Sequence, residues 1–140
     1  MAAKRQTQPG GTRGTVFREV SALRLKDAGT PLRAKRFQGS LYLAGYAIEC
    51  LLKFGVTRRQ SCVYLPAELE THNLDRLLDA AGLGPALSDF PAMEGTFSGF
   101  ADQWGPELRY RTATLTESQA SELYADADEI YSWINENLVN

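Results

Sequence analysis

The chain has one histidine, His72, standing in the run Thr71-His72-Asn73-Leu74. Imidazole is the side chain best suited to moving a proton near neutral pH. With no second histidine, His72 would act alone or with its counterpart from another copy; the alternative is a structural role. Glu49 and Lys53 lie four residues apart in an otherwise apolar segment. Acid before base at that spacing favours an ion pair along one helix face, and a buried pair of this kind fixes helix register. Arg109-Tyr110-Arg111 offers two guanidinium groups to grip phosphate and a ring between them to stack on a base. The alternative there is a pairing of Arg109 with a carboxylate of the last helix.

Other chemistries lack their parts. One histidine and two separated cysteines, Cys50 and Cys62, cannot complete a zinc set or a disulfide scaffold. There is no glycine-rich phosphate loop, nucleophile elbow or nucleotidyltransferase carboxylate set. No metal and no cofactor is expected. The longest uncharged stretch of the apolar centre, Phe37 to Ile48, is 12 residues, short of the ~20 that cross a bilayer as a helix. The start, MAAKRQTQPGGTRG, has no apolar core behind its basic residues and does not read as a secretory signal. A cytoplasmic protein without membrane contact is the expectation.

The elements that must position these residues follow from size and pattern. At 140 residues, 44% hydrophobic and 23% charged, the chain is one globular domain. Residues 1–14 read as a disordered basic arm, and residues 15–138 as the domain. Val16, Val20 and Leu23 share a helix face. Gly29-Thr30-Pro31 marks either a new helix start or a kink in one long helix. The segment SLYLAGYAIECLLKFG is apolar nearly all round until Glu49, so its helix must be buried on every face. One 140-residue bundle would struggle to cover it, which points to a homodimer with the 38–55 helix at its centre. Gly45 suits a close helix crossing, and Gly55 a helix stop.

Thr71 or Asn73 caps a third helix carrying Leu74, Leu77 and Leu78. Met93, Phe97, Phe100 and Trp104 suggest a loose fourth helix within 86–108. Thr116 and Gln119 form a capping box for the last helix, whose stripe runs Ala120, Leu123, Tyr124, Ala127, Ile130 or Tyr131, Ile134. The class is all-α, a four- or five-helix bundle.

Charge divides the chain. Residues 1–60 carry 12 Lys and Arg against Glu19, Asp27 and Glu49, a balance of +9, while residues 61–140 carry Arg76, Arg109 and Arg111 against 14 acids, a balance of −11. Either the halves neutralise one another on folding, or the basic half meets an anionic partner such as RNA. A pI near 5.4 argues against strong nonspecific binding by the whole surface.

LYLAGYAIECLLK, followed by THNLDRLL, and then WGPELRYR and the ending EIYSWI, resembles the HEPN domain family over roughly residues 17–135. The resemblance implies an all-α, commonly dimeric bundle. Members of that family include metal-independent ribonucleases of toxin–antitoxin and defence systems. Others are non-catalytic RNA-binding or partner-binding modules, often beside nucleotidyltransferase-like proteins. It also implies that Glu49 orients Arg109 in a polar pocket, and that the His72 position orders a helix start. The family's ribonuclease signature, an arginine followed four to six residues later by a histidine, is not intact. The positions counted on from Arg109 and Arg111 hold Thr114, Leu115, Thr116, Glu117 and Ser118. Arginine neutralises phosphate but does not titrate usefully. The expectation is therefore a non-catalytic dimeric module binding RNA, a nucleotide or a protein partner through Arg109, Tyr110, Arg111 and Lys53. The alternative is an endoribonuclease toxin with a shifted site built on Arg109 and His72, with Glu49 in support.

Overall fold

The computed structural model describes residues 12–105 and 115–138. Among them are six α-helices: α1 (Gly14–Arg33), α2 (Phe37–Arg59), α3 (Leu74–Ala80), α4 (Gly84–Ser88), α5 (Pro91–Gln103) and α6 (Glu117–Asn137). One 3-10 turn, Ala67–Leu69, precedes α3. No strand forms among the described residues; an isolated antiparallel bridge joins Arg13 to Tyr64. The fold is a helical bundle, and none of its described helices is long and apolar enough to cross a membrane.

α2 is the hub. From Ala47 to Thr57 every residue is buried, as an all-round apolar helix requires. α1 packs along it as a helical hairpin, and α3 and α6 pack against it as well. One chain therefore covers this helix, and its apolarity does not by itself call for a second copy. Leu51, Leu52, Leu77, Phe100, Ile130 and Ile134 meet in a single core.

α1 differs from the sequence reading. Val16 and Leu23, expected on its core face, are 42% and 54% exposed. The buried side consists of Gly14, Ser21, Ala28 and Gly29. Small residues win there because the neighbouring helices lie close. A Cβ on Gly14 would stand 2.0 Å from Thr57 Oγ1, and one on Gly29 would stand 3.4 Å from the Tyr124 hydroxyl. Polar groups tie the same seam: the Ser21 hydroxyl lies 2.9 Å from the Tyr131 hydroxyl, and Ser40 Oγ donates to the Ala28 carbonyl at 2.8 Å.

Helix ends also fall elsewhere than glycine suggests. α1 runs through Gly29-Thr30-Pro31 as one helix, with Pro31 in its last turn. Lys35, at φ 61°, then turns the chain; its N–H donates to Leu32 O at 3.1 Å and that of Arg36 to Pro31 O at 2.6 Å. This double bond across a left-handed residue is the Schellman arrangement. α2 ends the same way at Ser61, φ 52°, with Ser61 N–H to Arg58 O at 3.2 Å and Cys62 N–H to Thr57 O at 2.9 Å. Gly55, expected as the stop, is a packing glycine: a Cβ there would stand 2.9 Å from Leu138 Cδ2 and 3.2 Å from Ala81 Cβ. Residues 56–59 therefore belong to α2 and not to a loop.

In place of one loose helix within 86–108 there are two among the described residues, the short α4 and α5, with Phe97 and Phe100 buried and Gly95 and Gly99 facing open space; residues 106–108 lie outside the described residues. α6 carries its capping box, Gln119 N–H to Thr116 Oγ1 at 3.1 Å and Thr116 N–H to Gln119 Oε1 at 3.0 Å. Ile130, not Tyr131, completes its buried stripe. Residues 12–14 of the expected arm are tied into the fold, through the bridge and through Gly14 N–H to Val63 O at 3.0 Å. The rest of the arm, residues 1–11, lies outside the described residues.

Candidate functional site

Three of the residues singled out by type meet in one cluster. Glu49 projects from the buried middle of α2 and is only 1% exposed. One turn later on the same helix, Lys53 Nζ donates to Glu49 Oε2 at 3.0 Å. Lys53 is 7% exposed, and its ammonium stands 5.5 Å from the centroid of the Phe17 ring on α1, a cation–π contact that shares in compensating its burial. The other carboxylate oxygen, Oε1, lies 2.7 Å from His72 Nδ1. Glu49 thus spends both oxygens inside the protein.

His72 reaches Glu49 because of how α3 begins. Asn73 is the cap: its Oδ1 accepts from Arg76 N–H at 3.0 Å, and its own N–H donates to Thr71 Oγ1 at 3.2 Å. This turn fixes the residue before the cap, His72, against α2. An ionised carboxylate only accepts hydrogen bonds, so with Glu49 ionised Nδ1–H is the donor in this contact. The His72 side chain is 54% exposed. It lines a cleft of about 470 Å³ together with Thr71, Asp75, Ala101, Trp104 and Gly105.

Trp104 forms one wall of that cleft. Its indole lies so close to Gly45 that a Cβ there would stand 2.2 Å from Nε1. Nε1–H donates to the Tyr42 carbonyl at 3.2 Å. Gly45 therefore admits a tryptophan ring rather than another helix. Tyr42 stands 6.4 Å from Trp104 and, stacked at 7°, 6.4 Å from Tyr46. Behind this aromatic row, burial and the Glu49 charge push the Cys50 thiol up to about 11, and burial with the neighbouring Cys50 raises Tyr46 as well. Cys50 is therefore held as an inert thiol and not as a nucleophile. Among the described residues no three of His, Cys, Asp and Glu gather into a metal-ligand set.

Arg109, Tyr110 and Arg111 lie outside the described residues, so the expected Glu49–Arg109 contact is not among those the structure describes. No family model, no curated protein and no solved structure matches the chain. The sequence reading missed Trp104 as a wall of the cleft; its place at the end of the Phe97–Phe100 stripe signalled burial alone. Arg58, three residues beyond the helix stop expected at Gly55, sits in the last turn of α2.

Proposed function

We propose that this chain is a HEPN-like helical module that binds RNA or a nucleotide at the cleft beside His72 without cleaving it. The observation that carries this reading is the Glu49–Lys53–His72 cluster. It joins the two quoted segments, LYLAGYAIECLLK and THNLDRLL, into one unit, which supports treating them as one motif. It also leaves the described lining of the cleft with His72 and Asp75 but no lysine or arginine for the phosphate. Metal-free RNA cleavage needs a base for the 2′-hydroxyl, an acid for the leaving oxygen and positive charge on the phosphate. Glu49 and Lys53 are buried and spent on each other, so His72 is the one member of the cluster that meets solvent. Phosphate binding needs charge rather than a titrating pair. Arg109, Tyr110 and Arg111 supply the charge and a stacking ring in this proposal. A homodimer, a nucleotidyltransferase-like partner, a toxin–antitoxin or defence setting and a cytoplasmic location belong to the same proposal.

A second reading, a metal-independent endoribonuclease built on His72 and Arg109, is favoured by one feature. A buried carboxylate on Nδ1 orients an imidazole whose Nε2 is left for proton transfer. The test is a labelled oligoribonucleotide followed by anisotropy and by gel, with and without magnesium. The expected result is binding that Arg109→Ala weakens and His72→Ala changes little, with cleavage at the level of a buffer control. Robust cleavage that disappears in His72→Ala establishes the ribonuclease instead.

A further inference from the structure

A second cavity, of about 530 Å³, lies where the start of α1 meets the end of α2. Arg13, Arg18 and Arg58 line it, and no carboxylate does. Arg18 and Arg58 place their guanidinium carbons 5.2 and 5.8 Å from the centroid of the same ring, Phe54. Arg13 rests 5.9 Å from the Tyr64 ring. Among the described residues none of the three arginines makes an ion pair with a carboxylate. Three like charges thus converge on one concave surface without a counter-charge from the described residues. Stacking on aromatic faces holds guanidinium groups in fixed orientation while leaving their N–H forks unspent.

We infer that this cavity is a phosphate site, taking a ligand with a multiply charged phosphoryl group. Guanidinium forks match phosphate oxygens in bidentate geometry. The volume falls within the range of ordinary small-ligand sites. The walls are built before any ligand arrives. Leu65 N–H donates to Thr12 O at 3.2 Å and Gly14 N–H to Val63 O at 3.0 Å, clamping the segment before α1 to the segment after α2. Ser61, in its left-handed conformation, closes the end of α2 at the rim. The start of α1 adds to the field: it has no side-chain cap bond and no acid in its first turn, so its positive end is not neutralised locally. The site shares no residue with the His72 cleft, and the inference stands without the proposal made for that cleft.

The test is titration calorimetry with inorganic pyrophosphate and, separately, with a short oligoribonucleotide, on the full chain and on Arg18→Gln, Arg58→Gln and Lys26→Gln. All three positions are exposed, so the variants keep the core; matching melting curves check this. Expected are saturable pyrophosphate binding, weakening of about 10-fold or more in each arginine variant, and little change in Lys26→Gln. Oligoribonucleotide that binds and is displaced by pyrophosphate identifies RNA phosphate as the source. Oligoribonucleotide that leaves pyrophosphate binding untouched identifies a small phosphorylated molecule. Absence of saturable pyrophosphate binding overturns the inference, whether or not the oligoribonucleotide binds. So does equal weakening in all three variants, which means diffuse attraction to a basic surface.

Discussion

Replacing Glu49 by leucine, Lys53 by methionine, and both together measures the buried charge cluster on which the His72 cleft depends. The two side chains meet at 3.0 Å and are almost wholly buried. Coulomb attraction at an effective dielectric of ~20 is about 5 kcal/mol at that distance. Taking both ions out of water offsets several kcal/mol each, so the intact pair is worth little against an apolar replacement. Removing one partner is different, because the other is left charged and buried. Among the described residues Glu49→Leu leaves Lys53 with the Phe17 ring at 5.5 Å, and a loss of about 3–5 kcal/mol is expected. That is a large part of a typical domain's ~5–15 kcal/mol. Lys53→Met should cost less, about 1–3 kcal/mol, because His72 still holds Glu49 from the other side at 2.7 Å. The double variant should recover most of the loss, with a coupling energy of about 2 kcal/mol or more. Urea unfolding followed by far-ultraviolet circular dichroism at pH 7 reads all four stabilities. Single losses below about 1 kcal/mol that simply add in the double variant would refute the reasoning, since uncoupled effects of that size belong to solvated charges.

Gly45→Ala should lower the melting temperature although alanine favours helix by about 1 kcal/mol, because its Cβ would stand 2.2 Å from Trp104 Nε1 and overpacking costs ~1–3 kcal/mol; a raised melting point would show that the indole moves freely. Ser61→Gly should stabilise by about 0.5–1 kcal/mol by relieving a left-handed backbone at φ 52°, whereas Gly82→Ala, at φ 78° and against the Arg59 side chain, should destabilise; denaturation midpoints of the two variants decide. The thiol of Cys50, raised from an ordinary 9.0 to about 11 by burial first and by Glu49 second, stays protonated in the folded chain where the unfolded chain ionises. Its contribution is therefore complete below pH ~9 and is lost as pH rises to ~11, about 3 kcal/mol in all. Unfolding at pH 8 and 10.5 should show this loss in the parent and a smaller one in Cys50→Ala, and equal losses would contradict it.

How much of this was legible in the sequence depended on whether the deciding force was local. The α6 capping box, the burial of α2 and a cap at Thr71 or Asn73 for α3 all follow from side chains near one another in the chain and are readable there; that Asn73 is the cap comes from the structure. The ends of α1 and α2 were not. Glycine and proline at 29, 31 and 55 look like stops, yet Gly29 and Pro31 lie within α1, and Gly55 serves close packing against Ala81 and Leu138. The turning residues are Lys35 and Ser61, whose types advertise nothing. The apolar face of α1 failed for the same reason. Periodicity counts large side chains, whereas a close helix seam selects small ones, and Ser21, Ala28 and Gly29 carry the contact. Glu49 and Lys53 were readable as a pair, but the third member, His72, joins them across 23 residues of sequence, a distance at which spacing has no meaning.

The division of charge between the halves gains a physical form from the same geometry. The acids of α6 gather on its outer side, where burial first, and the neighbouring Glu122 and Glu129 next, raise the pKa of Asp126. Arg13, Arg18 and Arg58 correspondingly find no carboxylate among the described residues. Neutralisation of one half by the other therefore does not explain these three cations. Residues 13 and 18 share no helix face, and 58 is 40 positions farther on, so no motif announces their meeting. It is made by the α1–α2 hairpin and the left-handed turn at Ser61, both products of packing. A basic excess in the first sixty residues is visible from composition; the convergence of Arg18 and Arg58 on one ring, Phe54, with Arg13 beside Tyr64, requires the fold. Such a focus raises the local potential for anions beyond what a net charge of −2 allows the surface as a whole.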